Sequence, residues 1–227
     1  MTGILLAGGR GLRMGGRDKG LVSVAGRPMA AWALACLAPQ VDRVVISANR
    51  HRSTYAAFGY PVVADPDMGY EGPLAGVSAA LARVGTPWVV TCPCDCPHPP
   101  GDLVVRLENA RRRTGAAVAV AHDGTRLQPL FALLASALHP DLRAHLQRGG
   151  RRVGHWLLEQ GGVVVDFSDC PGSFDNINTE ADQRRLEAVW TPPATLETGG
   201  SQAPQEAPSS HPARGLQRPP SPPRSGT

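Results

Sequence analysis

The stretch Leu6-Ala7-Gly8-Gly9-Arg10-Gly11-Leu12-Arg13-Met14-Gly15-Gly16-Arg17-Asp18-Lys19-Gly20 grows directly out of the apolar run Ile4-Leu5-Leu6. Glycines let backbone N–H groups converge on an anion without interference from side chains. Arg13 and Lys19 add fixed positive charge. At ~4 Å and an effective dielectric near 20, each contact between unit charges is worth about 4 kcal/mol before desolvation. A loop after the first strand of a parallel sheet also lies where α/β proteins bind ligands. Glycines alone would describe a flexible surface loop; the preceding strand and the two cations favour a phosphate-binding one. Spacing excludes two other phosphate loops. Lys19 stands between Asp18 and Gly20, whereas a P-loop needs Gly before the lysine and Ser or Thr after it. A dinucleotide fingerprint started at Gly9 and Gly11 meets Met14 at its third glycine.

Outward from this loop, short apolar runs alternate with longer amphipathic ones. Strands are predicted at Ile4-Leu5-Leu6, Val44-Val45-Ile46, Val62-Val63-Ala64, Trp88-Val89-Val90-Thr91, Ala117-Val118-Ala119-Val120 and Val163-Val164-Val165. Helices are predicted from Met29 to Leu37, Leu74 to Arg83, Leu103 to Arg113, Ala135 to Gln147 and Val153 to Gln160. Nearly continuous apolar strands separated by helices predict an α/β fold, a Rossmann-like three-layer sandwich with a mostly parallel sheet and helices on both faces. Thr179-Glu180-Ala181-Asp182 reads as a capping box opening a last helix that ends near Trp190.

From Thr191 the composition turns to Pro, Ser, Gly and Gln, with Leu196 and Leu216 as the large aliphatic residues. Burying two leucines contributes roughly 3–6 kcal/mol. Fixing about 37 residues of backbone costs on the order of 40–70 kcal/mol. The expectation is a domain over 1–190 and a disordered Pro/Ser/Gly-rich tail over 191–227.

The bulk properties narrow the function. The 227 residues carry a net charge of +4 and 5% aromatics, with the arginines scattered. Nucleic-acid binding calls for basic blocks interleaved with aromatics, so nucleic acid is not expected as a partner. No run approaches the ~20 apolar residues of a membrane span. No secretory leader is read at the N-terminus, and five cysteines, three of them at 92, 94 and 96, make no secreted disulfide framework. The compartment expected is the cytoplasm.

Asp95 follows the fourth predicted strand within Cys92-Pro93-Cys94-Asp95-Cys96-Pro97. A carboxylate at the C-terminal end of a central parallel strand faces the crevice shared with the glycine loop. Magnesium takes one or two protein carboxylates and completes its octahedron with phosphate oxygens and water, a role that suits Asp95 better than that of a turn aspartate. The alternating cysteines invite a zinc reading. Structural zinc uses paired ligands with a second pair elsewhere, and here apolar packing is the better account.

Together, Leu6-Ala7-Gly8-Gly9, Arg13-Met14-Gly15, Asp18-Lys19 and Pro93-Cys94-Asp95 resemble the nucleotidyltransferases, most closely the molybdenum cofactor guanylyltransferases. Ser47-Ala48-Asn49-Arg50, Asp65, Gly72-Pro73-Leu74-Ala75-Gly76, Gln128-Pro129-Leu130-Phe131-Ala132-Leu133 and Phe174-Asp175-Asn176-Ile177-Asn178-Thr179 extend the likeness over residues 3 to about 190. The resemblance implies transfer of GMP from GTP to molybdenum-bound molybdopterin, with release of pyrophosphate and Mg2+ as cofactor. It implies that Leu6, Ala7 and Gly8 line the nucleotide and that Lys19 holds phosphates beside Arg13 and Gly15. Asn49 and Asp65 would contact guanosine, and Asp95 would bind magnesium. Gly76, Gln128, Asn176 and Asn178 would meet the second substrate, although Asn176 and Asn178 read equally as cap and turn formers. Transient contact with molybdopterin-delivering and molybdoenzyme-maturation proteins is implied as well. Arg148, Arg151 and Arg152 read as a solvated face or as partners of the pterin phosphate, and His98 and His155 as surface or packing residues.

Other readings stay open: a cytidylyl- or sugar-phosphate nucleotidyltransferase of the same fold, or a non-catalytic GTP-binding or molybdopterin-carrier protein. Asp95 and Lys19 together favour an enzyme, since binding alone needs no metal site placed for in-line transfer.

Overall fold

The computed structural model describes residues 1–7, 18–65, 72–177 and 179–189, the side chains of Glu180 and Val189 excepted. The chain opens with strand β1 (Thr2–Leu6), a hairpin of β2 (Ser23–Val24) and β3 (Arg27–Pro28), and helix α1 (Met29–Leu37). β4 (Arg43–Ser47), α2 (Arg52–Ala56), β5 (Val62–Val63), α3 (Pro73–Leu81) and β6 (Trp88–Pro93) follow. Next come α4 (Leu103–Thr114), β7 (Val118–His122), β8 (Leu127–Ala135), α5 (His139–Gln147), α6 (Val153–Glu159), β9 (Val163–Asp166) and α7 (Glu180–Val189).

Seven strands form one sheet in the order β5-β4-β1-β6-β8-β7-β9. β5, β4, β1 and β6 pair in parallel, as do β7 and β9, while β8 runs antiparallel to both of its neighbours. The sheet is therefore mostly parallel, and the α/β expectation holds. Strand alternation builds a core on each face. Ile4 and Leu6 of β1 pack with Val89, Val118, Leu134 and Trp156 on the α3 side. Leu5 and Ala7 pack with Ala30, Leu34 and Ile46 on the α1 side. Val90, Cys92, Leu107 and Leu133 continue that second face beneath α4. Each fully buried aliphatic side chain contributes roughly 1.5–3 kcal/mol. α4 ends where Gly115, at φ 72°, returns its N–H to the Arg111 carbonyl.

Two departures from the sequence reading have physical reasons. Residues 127–135 form a strand that the apolar runs did not mark. Its register against β7 jumps between Val120↔Ala132 and Ala121↔Gln128, leaving Pro129 out of the pairing. Proline has no N–H for a ladder, and an irregularity is where a strand accommodates one. In consequence Ala135 ends β8 rather than opening a helix, and α5 starts at His139 with Pro140 in its first turn. The capping box forms: Thr179 N–H donates to Asp182 Oδ2 at 3.0 Å, and Asp182 N–H donates to Thr179 Oγ1 at 3.1 Å. The tail reading over 191–227 and Trp190 lie outside the described residues.

Candidate active site

The chain leaves β1 for β4 on one side and returns to β6 on the other, which makes the β1–β6 boundary the switch point of the sheet. Open α/β sheets bind ligands at the strand ends there. Ala7 donates its N–H to the Ser47 carbonyl at 2.8 Å, and the Leu6 carbonyl accepts from Cys94 N–H at 3.0 Å. Leu6 and Ala7 are thus locked between the segments that follow β4 and β6. Gly8, Arg13 and Gly15 lie outside the described residues.

Where the description resumes, three consecutive residues are pinned. The Asp18 side chain is 5% exposed; its Oδ1 accepts from the Tyr55 hydroxyl at 2.6 Å, and Oδ2 lies 3.0 Å from His51 Nδ1. Lys19 Nζ donates to Asp95 Oδ2 at 3.2 Å, with the two side chains 23% and 18% exposed. A Cβ on Gly20 would stand 2.4 Å from Tyr55 Oη and 2.9 Å from Cys94 Sγ, so only glycine passes between them. Burial, then the nearby Cys94 and Asp18, push the Tyr55 hydroxyl above the usual phenol range and keep it a neutral donor.

Asn49 and Asp65 follow the neighbouring strands β4 and β5. Asn49 Oδ1 accepts from Asp65 N–H at 2.8 Å, and Asp65 is 6% exposed. Asp65 faces a cleft of about 930 Å³ that Arg52, Ser78 and Arg143 also line. Gly76, in the first turn of α3, has its own packing reason: a Cβ there would stand 2.6 Å from Ser47 Oγ.

The remaining segment closes the site from the far side. Ile177 donates its N–H to the Asp95 carbonyl at 2.9 Å, which brings half-buried Asn176 beside Asp95; Asn178 lies outside the described residues. Gln128 is buried at the start of β8, whose reversed direction puts that start at the C-terminal end of β6. Its Nε2 donates to Asp123 Oδ2 at 2.6 Å. Arg151 Nη1 donates to the carbonyls of Leu146 and Gly150, and His155 sits exposed 3.3 Å from Glu159. Cys92 and Cys96 pack on the α4 side and Cys94 on the α1 side. Burial raises all three thiols, as apolar packing requires. Among the described residues no three His, Cys, Asp or Glu side chains are grouped to hold a metal by themselves.

The sequence reading missed the part played by His51 and Tyr55. Their i, i+4 spacing, with His51 just before a short helix and Tyr55 on it, was the available signal, but nothing in it named Asp18 as the shared partner.

A family model described as the MobA-like NTP transferase domain matches residues 3–161. The molybdenum cofactor guanylyltransferase of Shewanella loihica is 44% identical over 187 residues, which cover 82% of this chain and 95% of that protein. Among solved structures, the molybdopterin-guanine dinucleotide biosynthesis protein A from Archaeoglobus fulgidus is similar with a TM-score of 0.70 at 23% identity. That likeness covers 83% of this chain and 98% of the other. Rv0371C from Mycobacterium tuberculosis, solved in complex with manganese, has a TM-score of 0.56 at 20% identity over 82% of this chain and 97% of its own. The two structures share the fold, and the Shewanella relative shares nearly its whole length. With the switch-point crevice and its Lys19–Asp95 pair in the matched region, the chain belongs to the MobA-like nucleotidyltransferases and is an enzyme of the molybdenum cofactor guanylyltransferase family.

Proposed function

We propose that this enzyme transfers GMP from GTP to molybdenum-bound molybdopterin, releasing pyrophosphate and forming the guanine dinucleotide cofactor. The observation that carries the reading is the Lys19–Asp95 pair just beyond the C-terminal end of β6. Before substrate arrives, the ammonium and the carboxylate neutralise each other. When GTP binds, Lys19 turns to its phosphates beside Arg13, and Asp95 is released for a metal. Leu6, Ala7 and Gly8 line the nucleotide with backbone groups, and Asn49 with Asp65 holds the guanosine. An acceptor phosphate attacks the α-phosphorus in line, and the bond from that phosphorus to the β-phosphate oxygen breaks. The attacking phosphate is already anionic near neutral pH, so no protein general base is required; positioning and charge neutralisation do the chemistry.

The donor set fits magnesium. Asp95 offers hard carboxylate oxygens, is partly open, and belongs to no group of three His, Cys, Asp or Glu among the described residues that could hold a metal. Such a site suits a cation that keeps waters and phosphate oxygens in its shell. When bound, magnesium supplies positive charge to the phosphate oxygens. The manganese in the Mycobacterium tuberculosis neighbour supports divalent-metal use in this fold.

Gly76, Gln128, Asn176 and Asn178 form the acceptor side of the site. Contacts with proteins that deliver molybdopterin or mature molybdoenzymes are transient, and the reaction takes place in the cytoplasm. Among the described residues no helix is long and apolar enough to cross a membrane. The test incubates purified protein with magnesium, molybdopterin and each nucleoside triphosphate in turn and measures pyrophosphate. GTP is expected to support release. Turnover with CTP alone would eliminate the guanylyl reading, and nucleotide binding without pyrophosphate would favour a carrier.

A further inference from the structure

We propose that Tyr55 and His51 are positioning residues for nucleotidyl transfer: by donating to both oxygens of the Asp18 carboxylate they fix the chain at Lys19 and present its ammonium to the phosphate site. The proposal rests on the functional reading above, in which Lys19 and Asp95 meet nucleotide and metal.

Asp18 and Lys19 are adjacent, and a lysine on a flexible four-carbon stem would readily fold onto an open neighbouring carboxylate. Asp18 is not open. A carboxylate only accepts hydrogen bonds, and each oxygen of this buried one has a donor from α2 or the residue before it: Tyr55 Oη at 2.6 Å and His51 Nδ1 at 3.0 Å. Lys19 instead donates to Asp95 Oδ2.

Two features show that the arrangement is imposed. His51 is non-glycine, yet its backbone lies in the left-handed region at φ 48° and ψ 36°. Side chains rarely adopt that conformation unless the surroundings hold it, and such residues cluster at functional sites. Here it accompanies the approach of the imidazole to Asp18. The second feature is Gly20, whose absent Cβ leaves room for the same Tyr55 hydroxyl. Tyr55 therefore touches the chain on both sides of Lys19. Asn49, two residues before His51, bonds Asp65 N–H at 2.8 Å. One turn after β4 thus ties the nucleoside side of the site to the phosphate side.

The test uses the full chain with GTP, magnesium and molybdopterin, and compares Tyr55→Phe, His51→Ala and His51→Asn with Lys19→Ala and Asp95→Ala. Each variant is first shown to melt cooperatively. A misplaced cation costs transition-state stabilisation, so Tyr55→Phe and His51→Ala are expected to lower kcat about tenfold or more. The KM for GTP should change by less than about threefold, because ground-state contacts remain. Asparagine tolerates the left-handed backbone and offers an amide N–H near Nδ1, so His51→Asn should recover kcat to within about threefold of the parent. If Tyr55→Phe does not fold, the two variants of half-exposed His51 decide the matter.

The proposal is overturned if folded Tyr55→Phe and His51→Ala keep the parental kcat while Lys19→Ala and Asp95→Ala lose turnover. A raised KM with unchanged kcat, or no recovery in His51→Asn, also overturns it. Parental turnover by Lys19→Ala and Asp95→Ala would instead reject the underlying reading, and the positioning role with it.

Discussion

Ile177 donates its backbone N–H to the Asp95 carbonyl at 2.9 Å, so the segment leading into the last helix hangs on the residue whose carboxylate meets Lys19. The Ile177 side chain packs with Val24, Met29 and Leu186, and Gln183 Nε2 donates to the Ser23 carbonyl at 2.9 Å. Helix α7 and the β2–β3 hairpin therefore support the Asp95 backbone, while its side chain faces Lys19.

That separation makes Asp95→Asn an informative variant. The backbone bond to Ile177 is kept and the charge is lost. We expect a folded protein whose pyrophosphate release falls by about a hundredfold to a thousandfold, the usual cost of removing one electrostatic stabiliser. Parental rates at saturating magnesium would reject the metal assignment.

Gly20→Ala should destabilise the fold by about 1–3 kcal/mol, because the new methyl meets Tyr55 Oη and Cys94 Sγ inside van der Waals range. Denaturant unfolding of Gly20→Ala, Tyr55→Phe and the double variant reads this directly. Removing the hydroxyl relieves part of the clash, so the double variant should lose less than the sum of the singles. Strict additivity would show that the two residues do not conflict.

Glu108 has a predictable acid limb. The Arg111 side chain, and with it Arg112, holds the carboxyl below its ordinary value of 4.5. A folded-state value below the unfolded one means that the contribution to stability is complete above the unfolded pKa. It is lost as pH falls through the folded pKa. Glu108→Gln should therefore lower stability at pH 7 and flatten its fall below pH 4.5. Thermal melts of both proteins from pH 3 to 7 check this; parallel curves would show that the pair contributes nothing.

Deleting residues 191–227 is expected to leave melting temperature and turnover nearly unchanged, since that stretch offers only Leu196 and Leu216 as large aliphatic residues. A marked loss of either would show that the segment supports the domain.

Apolar runs marked six strands of the main sheet: β1, β6 and β7, buried on both faces, carry little polar alternation, and the partly exposed β4, β5 and β9 still hold adjacent Val and Ile residues. β8 was not marked: Gln128 and Pro129 stand at its start, and its apolar run Leu130-Phe131-Ala132-Leu133-Leu134-Ala135 passes straight into the helix expected from Ala135. The β2–β3 hairpin was too short to show periodicity, and its turn carries Ala25 at φ 48° ahead of Gly26, where Asn or Gly would have announced it. In the site, Lys19 and Asp95 stood out because the glycine loop and the strand end locate them in the chain. Their meeting depends on a separation of 76 residues that only the fold closes. Asp18 was visible as the neighbour of Lys19. Its donors were not, since a tyrosine on a five-residue helix and a histidine just before it look like any amphipathic surface turn.

The reversed strand β8 has a consequence for how such an enzyme changes acceptors. Parallel strands deliver to the crevice only the residues just past their C-terminal ends, so altering those residues disturbs the nucleotide cradle. β8 runs the other way, so its first residues, together with the Asp123–Arg126 turn before them, belong to a different stretch of chain from the segments that carry Lys19 and Asp95. Substitutions along that stretch are expected to leave the Lys19–Asp95 pair untouched, so selection can vary one without disturbing the other.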